Sequence, residues 1–487
     1  MADAHAFSRA ELDALLSAIV GRMVSEADSA GVLLSSRAGR NKGRIGNVVE
    51  QSVLGYPPDS DQRPDLLVDG QPWELKCTGI VEARRGHGPW RAKEPMSVTA
   101  VSPEAIVGES FSTSAFWHKT KRLLVVYYLY VRPGRGVAVS YADFEFRAYD
   151  FHTWSELDRG RLEADWTVVR DYVRRAMADA DALMPGLSTT VNPLLLYLDT
   201  SPKWPNRPRF RLKASLVTQM ARERLDGGMR MLPDQPGLGS MSEVRRTLAG
   251  VAARCVGSTL GEMAGKLGIE TTGRGGRPPK SLAEQVVVRL LTGHAGRASQ
   301  VPLLAKAGMT LKTVTLTARG GRTEDMKLGG QLDFDELSDP AAAYEGSSFA
   351  AMIEDVTVVA AVLSEPRAGC ELTECRLLGF KLLWLGSLSL DALALWDGMR
   401  ERILGGTLAD VPVLRADGTP RTAPKTGLPM TAPNWPKSRD GALFVRGTGS
   451  DATDKPVVVN GVRMYRQNLW AKGTVIARMV AEADFVS

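Results

Sequence analysis

The stretch Arg63-Pro-Asp-Leu-Leu-Val-Asp-Gly-Gln-Pro-Trp-Glu-Leu-Lys76 decides how the rest of the chain is read. Asp69-Gly70 is a tight-hairpin dipeptide, since both central positions of such a turn take positive φ and Asp-Gly tolerates it. The spacing predicts one strand starting at Asp65 and a second from Trp73 to Cys77. Side chains two apart on a strand share a face, so Glu74 and Lys76 point the same way, close to Asp65. Two carboxylates beside one lysine suit metal-assisted hydrolysis of a phosphodiester. Carboxylate oxygens hold a hard divalent cation, and the lysine orients or helps deprotonate the attacking water. The pattern is short, and strands often end in solvated charges, so its support must come from elsewhere in the chain.

At 487 residues the chain exceeds one ordinary core, and two to three domains are expected. With 44% hydrophobic and 24% charged residues it has the composition of a globular protein. No apolar run approaches the ~20 residues of a membrane span, so no membrane partner is expected. The start, Met1-Ala-Asp-Ala-His-Ala-Phe-Ser8, lacks a basic segment leading into an apolar one, which favours the cytoplasm over secretion. Cys77, Cys255, Cys370 and Cys375 make no disulfide framework, and no His stands near the last two to complete a zinc site. The net charge of +6 favours a polyanionic partner.

Residues 8 to 30 read as a helix capped by Ser8 and Glu11, with Leu12, Leu15, Leu16, Ile19, Val20 and Met23 on one stripe. A basic stretch ending at Arg44 leads into a second helix over 45–53. A hydrophobic strand over 123–130, a helix over 165–182, and a basic strand over 207–213 running into a helix from Ala214 follow. Alternating strands and helices give an α/β (α+β) class. Between 226 and 241 the composition turns to Gly, Pro and Met without periodicity. The predicted organisation is a domain over 1–225, a linker over 226–249 and a second domain over 250–487.

The two halves carry an internal repeat. Lys42-Gly-Arg-Ile-Gly-Asn-Val-Val-Glu-Gln-Ser-Val-Leu-Gly55 matches Lys280-Ser-Leu-Ala-Glu-Gln-Val-Val-Val-Arg-Leu-Leu-Thr-Gly293 in length, ends and a Val-Val pair. Residues 72–78 lie over 308–314, and 116–126 over 349–359, in the same order. Glu50 is opposed by Val288, Glu74 by Thr310, Lys119 by Met352 and Lys121 by Glu354, while Lys76 keeps a counterpart in Lys312. Joint loss of these charges fits a first copy that does chemistry and a second that kept its fold.

At these residues the chain resembles the MutH family, a mismatch-repair nicking endonuclease and its restriction-enzyme relatives. The matching motifs are Lys42-Gly-Arg-Ile-Gly46 with Glu50, Asp65, Glu74-Leu-Lys76, His118-Lys-Thr-Lys-Arg122 and Phe210-Arg-Leu-Lys213. Ser258 to Gly268 is similar to the helical segment that leads this family's domain, and the tandem arrangement resembles Sau-type restriction enzymes that cut at GATC. The resemblance implies two restriction-endonuclease-like domains, each a mixed central sheet flanked by helices, the C-terminal one degenerate. It implies a type II, Mg²⁺-dependent endonuclease acting on double-stranded DNA, engaging one or two sites, as a monomer that dimerises on DNA. A strand nickase and a non-cutting DNA-binding regulator are the alternatives. Asp65 and Glu74 would bind Mg²⁺, with Lys76 at the water, Glu50 as a further ligand and Lys119 at the scissile phosphate. Arg40, Lys42, Arg44, Lys121, Arg209, Arg211 and Lys213 would contact the DNA backbone. The interval from Asp65 to Glu74 is longer than in the nickase, which leaves Asp61 and Asp69 open beside Asp65; the turn already accounts for Asp69.

Overall fold

The computed structural model describes residues 5–34, 43–56, 64–82, 89–131, 140–177, 180–201, 207–227, 231–235, 238–273, 276–321, 324–415, 417–423, 427, 429–449 and 454–487. Arg40, Lys42 and Asp61 lie outside them. The hairpin forms as its sequence requires: Asp69 and Gly70 take φ of 47° and 74°, and strands β2 (Leu66–Val68) and β3 (Gln71–Glu82) pair antiparallel with Leu66 opposite Trp73. Strand β1 (Ala6–Phe7) lies parallel to β2. β3 runs beyond Cys77 to pair with β4 (Trp90–Ala92).

The long first helix divides into α1 (Arg9–Ser17) and α2 (Val24–Ala27). The Ser8–Glu11 capping box forms, but Gly21 and Val24 donate backbone N–H to the carbonyls of Phe146 and Phe144. Those sheet-type bonds displace helical ones, and Gly21 turns the chain at φ 85°. Helix α3 (Arg44–Val48) continues as one π turn over Val49–Val53.

The main sheet has six strands, β1-β2-β3-β6-β7 with β4 beside β3. β6 (Arg122–Leu129) is parallel to β3 and β7 (Glu145–Thr153) antiparallel to β6. A second sheet, β5-β9-β8, joins β5 (Met96–Ala100), β8 (Leu198–Asp199) and β9 (Arg209–Leu212). Helices α4 (Pro103–Ile106), α5 (Ala115–Thr120), α6 (Glu156–Ala176), α7 (Ala180–Val191) and α8 (Ala214–Asp226) complete this half. α6 starts earlier than the spacing predicts because Ser155 caps it.

The second half is built from helices and three- and two-stranded sheets. After α9 (Met241–Cys255), α10 (Leu260–Lys266), α11 (Leu282–Thr292) and α12 (Pro302–Ala307), β10 (Met309–Leu316) pairs parallel with β12 (Thr357–Ser364). β12 pairs antiparallel with β13 (Arg376–Trp384), and α14 (Ser389–Leu404) follows, as α6 follows β7. β11 (Met326–Gln331), β16 (Leu443–Thr448) and β19 (Arg466–Ala471) form the sheet β11-β19-β16, and α15 (Gly473–Glu482) follows β19 as α8 follows β9. Helix α13 (Phe334–Ser338) and the pairs β14 (Asp410–Pro412) with β15 (Thr431–Pro433) and β17 (Val457–Val459) with β18 (Val462–Met464) complete this half, with Phe334, Leu337, Val459 and Met464 buried in its core.

Two sequence expectations change here. α9 begins at Met241, capped by Ser240, inside the stretch read as a linker; Val244, Leu248, Val251 and Cys255 are a helical stripe that the preceding Gly and Pro obscured. The halves also share one core, in which Trp166, Leu216 and Met220 belong to the same buried cluster as Leu248, Val286, Leu304 and Phe380. Polar groups pin the joint. Fully buried Arg161 donates to Asp158 (3.1 Å), Asp234 (2.8 and 2.9 Å), the Tyr197 hydroxyl (2.8 Å) and the Leu238 carbonyl (3.1 Å). Lys306 of α12 reaches the other Asp158 oxygen at 2.8 Å. Among the described residues no helix is long and apolar enough to cross a membrane.

Candidate active site

The parallel pairing of β3 and β6 sets the site. Leu75 packs into the core under α1 and α3, so strand alternation turns Glu74 and Lys76 to the opposite face, toward α5. There Glu74 is 2% exposed, and a carboxylate so deep needs partners. Lys76 Nζ donates to its Oε1 at 2.6 Å, and Lys119 Nζ lies 3.3 and 3.4 Å from Oε1 and Oε2. α5 aims Lys119 because Ser114 Oγ caps its first turn at 3.0 Å and Phe116 and Trp117 are buried. Both lysines keep an edge in solvent, at 20% and 17% exposure, and so remain reachable by a ligand.

Asp65 sits across the hairpin, where its Oδ2 accepts the Leu75 N–H at 2.8 Å. Its carboxyl is held above the usual range, chiefly by burial and then by the Glu74 charge, while Lys76, the Leu75 bond and Lys119 pull the other way. Two carboxylates, two lysines and one backbone N–H thus form one electrostatic cluster. Glu50, on the π turn, acts with Asp65 on the half-buried Cys77 thiol, which desolvation above all pushes up. Glu50, like Asp65, therefore lies within electrostatic reach of Cys77. Asp69 is taken by the turn, its Oδ1 accepting Arg9 N–H at 3.2 Å.

Among the described residues no group of three or more His, Cys, Asp or Glu could hold a metal. Mg²⁺ needs fewer: one or two carboxylates, with waters and substrate oxygens filling its octahedron. The all-oxygen donors Asp65 and Glu74, close enough that the Glu74 charge raises the cost of ionising Asp65, fit such a cation. Cys370 and Cys375 lie with Sγ atoms 3.8 Å apart and do not make a zinc set.

Of the residues assigned to DNA, Lys121 is exposed at the end of α5, Arg44 is half-buried at the start of α3, and Arg209 is exposed with Nε on Ser97 Oγ at 2.6 Å. Arg211 and Lys213 differ from the expectation. Arg211 Nε pairs at 2.7 Å with Asp199, which is fully buried and needs a cation, and buried Lys213 donates to the Leu195 carbonyl at 2.7 Å. Both also line the smaller of the two cavities between the halves, beside Arg91 and Lys93. In the second half Thr310 and Lys312 flank the strand partner Val358 to Ala360 much as Glu74 and Lys76 flank Leu123 to Val125. Lys312 and Lys327 have ammonium groups lowered by burial, and Lys312 also feels Lys327 against the opposing Glu284 charge. Two cavities of about 590 and 560 Å³ lie between the halves, lined by Arg91 and residues of both, away from the carboxylate cluster.

Sequence reasoning missed the support behind Asp65. His5 Nδ1 donates to the Asp65 carbonyl at 2.9 Å from a position 60 residues away, a separation no local pattern encodes.

Residues 54–153 match the family model described as the DNA mismatch repair enzyme MutH. That region contains Asp65, Glu74, Lys76 and Lys119 and leaves out Glu50. The chain is also similar to the type II restriction enzyme Sau3AI of Staphylococcus aureus, at 24% identity over 199 residues. The match covers 39% of this chain and 38% of that relative, well under two thirds of its length. The first half therefore carries a region similar to MutH.

Proposed function

We propose, from a chain carrying a MutH-type region, that the protein is a Mg²⁺-dependent, sequence-specific endonuclease of double-stranded DNA, a type II restriction enzyme whose first half cuts. The single observation behind this reading is Glu74, buried beside Asp65 and bracketed by Lys76 and Lys119. Binding alone does not benefit from carboxylates placed where phosphate must come. Asp65 and Glu74 would hold the cation, which when bound polarises the scissile phosphate and makes water acidic enough to supply hydroxide.

The chain's own groups do the rest. Lys76, released from Glu74, orients the attacking water and offsets charge as the phosphorane-like state develops. Lys119 takes the phosphate oxygen, its direction fixed by the capped α5. Glu50, on the π turn, would serve as a further acid, able to receive the water's proton or a metal-bound water. Lys121 and Arg209 offer backbone contacts that weaken with salt. The second half, with Thr310 in place of a carboxylate, is a duplicated, degenerate copy that binds a second DNA site or supports dimerisation.

Plasmid incubated with Mg²⁺ should give discrete fragments, and EDTA or Glu74→Ala should abolish them while DNA binding survives. A smear insensitive to Glu74→Ala refutes the assignment. Thr310, in place of a carboxylate on the corresponding strand of the second half, favours a second reading, a nickase, and product that stops at open circles would select it.

A further inference from the structure

His5 stands apart from every motif, yet it touches both acid-bearing segments of the site. Its Nδ1 donates to the Asp65 carbonyl at 2.9 Å, and its own carbonyl accepts the Leu67 N–H at 2.9 Å, so it grips the chain on both sides of Leu66. Because a carbonyl only accepts, Nδ1 must carry the proton. On its other side the ring lies against Tyr56, centroids 4.2 Å apart and 33° tilted. Tyr56 in turn donates its backbone N–H to the Glu50 carbonyl at 3.1 Å. The imidazole therefore joins the end of the π turn that carries Glu50 to the start of the strand that carries Asp65.

Asp65 would otherwise be fixed by one side-chain bond, Oδ2 to Leu75 N–H. With its peptide loosened, the carboxyl would be free to swing about that one bond. We propose that His5 is a positioning residue, a clamp that holds Asp65, and through Tyr56 the Glu50 segment, at the spacing a divalent cation requires. The inference rests on the nuclease reading for the identity of the cation, and on the geometry above for the clamp.

The test compares His5→Phe, which keeps a ring against Tyr56 and removes the donor, with His5→Asn, whose amide can donate again, on the full chain. Mn²⁺ affinity is measured by titration calorimetry, beside the melting temperature and the Mg²⁺ dependence of plasmid cleavage. Removing an outer hydrogen-bond partner typically costs 10–100-fold in metal affinity. His5→Phe is expected to bind Mn²⁺ roughly tenfold more weakly at an unchanged melting temperature, to need proportionately more Mg²⁺ for half-maximal cleavage, and to be restored in part by His5→Asn. Wild-type Mn²⁺ affinity in a folded His5→Phe overturns the clamp, as does a loss that His5→Asn does not reduce. Mn²⁺ binding that depends on His5 in a protein that cuts no DNA would keep the clamp and remove the nuclease reading. Absence of Mn²⁺ binding in the wild type would remove both.

Discussion

Replacing Glu74 with Gln should separate two properties that usually fall together. Glu74 pairs with Lys76 at 2.6 Å and Lys119 at 3.3 Å, and Asp65 adds a second acid, so without a divalent cation an approaching phosphate would meet about as much negative as positive charge. Glu74→Gln keeps the shape and removes one unit of repulsion. A unit charge about 5 Å from a phosphate costs about 1 kcal/mol in water and about 3 kcal/mol at a protein surface. Both lysines are partly solvated, which argues for the lower half of that range, about 1–2 kcal/mol, or five- to thirtyfold in affinity. Fluorescence anisotropy of labelled duplex in EDTA should therefore show Glu74→Gln binding about tenfold tighter than wild type. Its log–log salt slope should steepen by about one phosphate contact. In Mg²⁺ the same variant should lose about a thousandfold or more in cleavage, since about 4 kcal/mol of transition-state stabilisation leaves with the ligand. Unchanged or weaker EDTA binding, or cleavage within tenfold of wild type, would refute the reasoning.

Acid should release the cation early. The Asp65 carboxyl is held above the ordinary range by burial and by Glu74, so protons compete with Mn²⁺ at a higher pH than for an exposed aspartate. Calorimetry from the ordinary aspartate range upward should show affinity still climbing above that range in wild type and much less so in Asp65→Asn. Arg161→Met leaves Asp158 and Asp234 without their shared cation; breaking a buried pair costs about 3–5 kcal/mol, read as a lowered urea midpoint of the whole chain, and a shift within error would contradict the network's role. Asp355 is raised by burial first and then by Asp199, against Lys213 and Arg211 and with Glu354 adding to the rise. A carboxyl raised in the folded state binds a proton the unfolded chain has already lost, so stability falls as pH climbs from the ordinary carboxylate range through the raised value. Melting curves should decline over that interval in wild type and much less in Asp355→Asn.

What the sequence made legible was local. Asp69-Gly70 encodes its own turn, and two-residue alternation places Glu74 and Lys76 together, so the hairpin and half of the cluster follow from fourteen residues or so of chemistry. Lys119, 45 residues from Glu74, came only through a family likeness, because parallel pairing of β3 and β6 is a long-range event. The break after Ser17 was hidden for the same reason: the carbonyls that compete for it belong to Phe144 and Phe146. Arg211 and Lys213 read as free cations because their partners, Asp199 and the Leu195 carbonyl, are assigned by folding rather than by neighbourhood. The α9 stripe was present in the letters and lost among flexible-looking neighbours.

The core that runs from α6 and α8 into α9, α11 and α12 has a practical corollary. Severing the peptide backbone between residues 226 and 240 should not liberate two particles. The fragments should travel as a single noncovalent complex through gel filtration and part only in denaturant, because each would otherwise bare an oily wall to water.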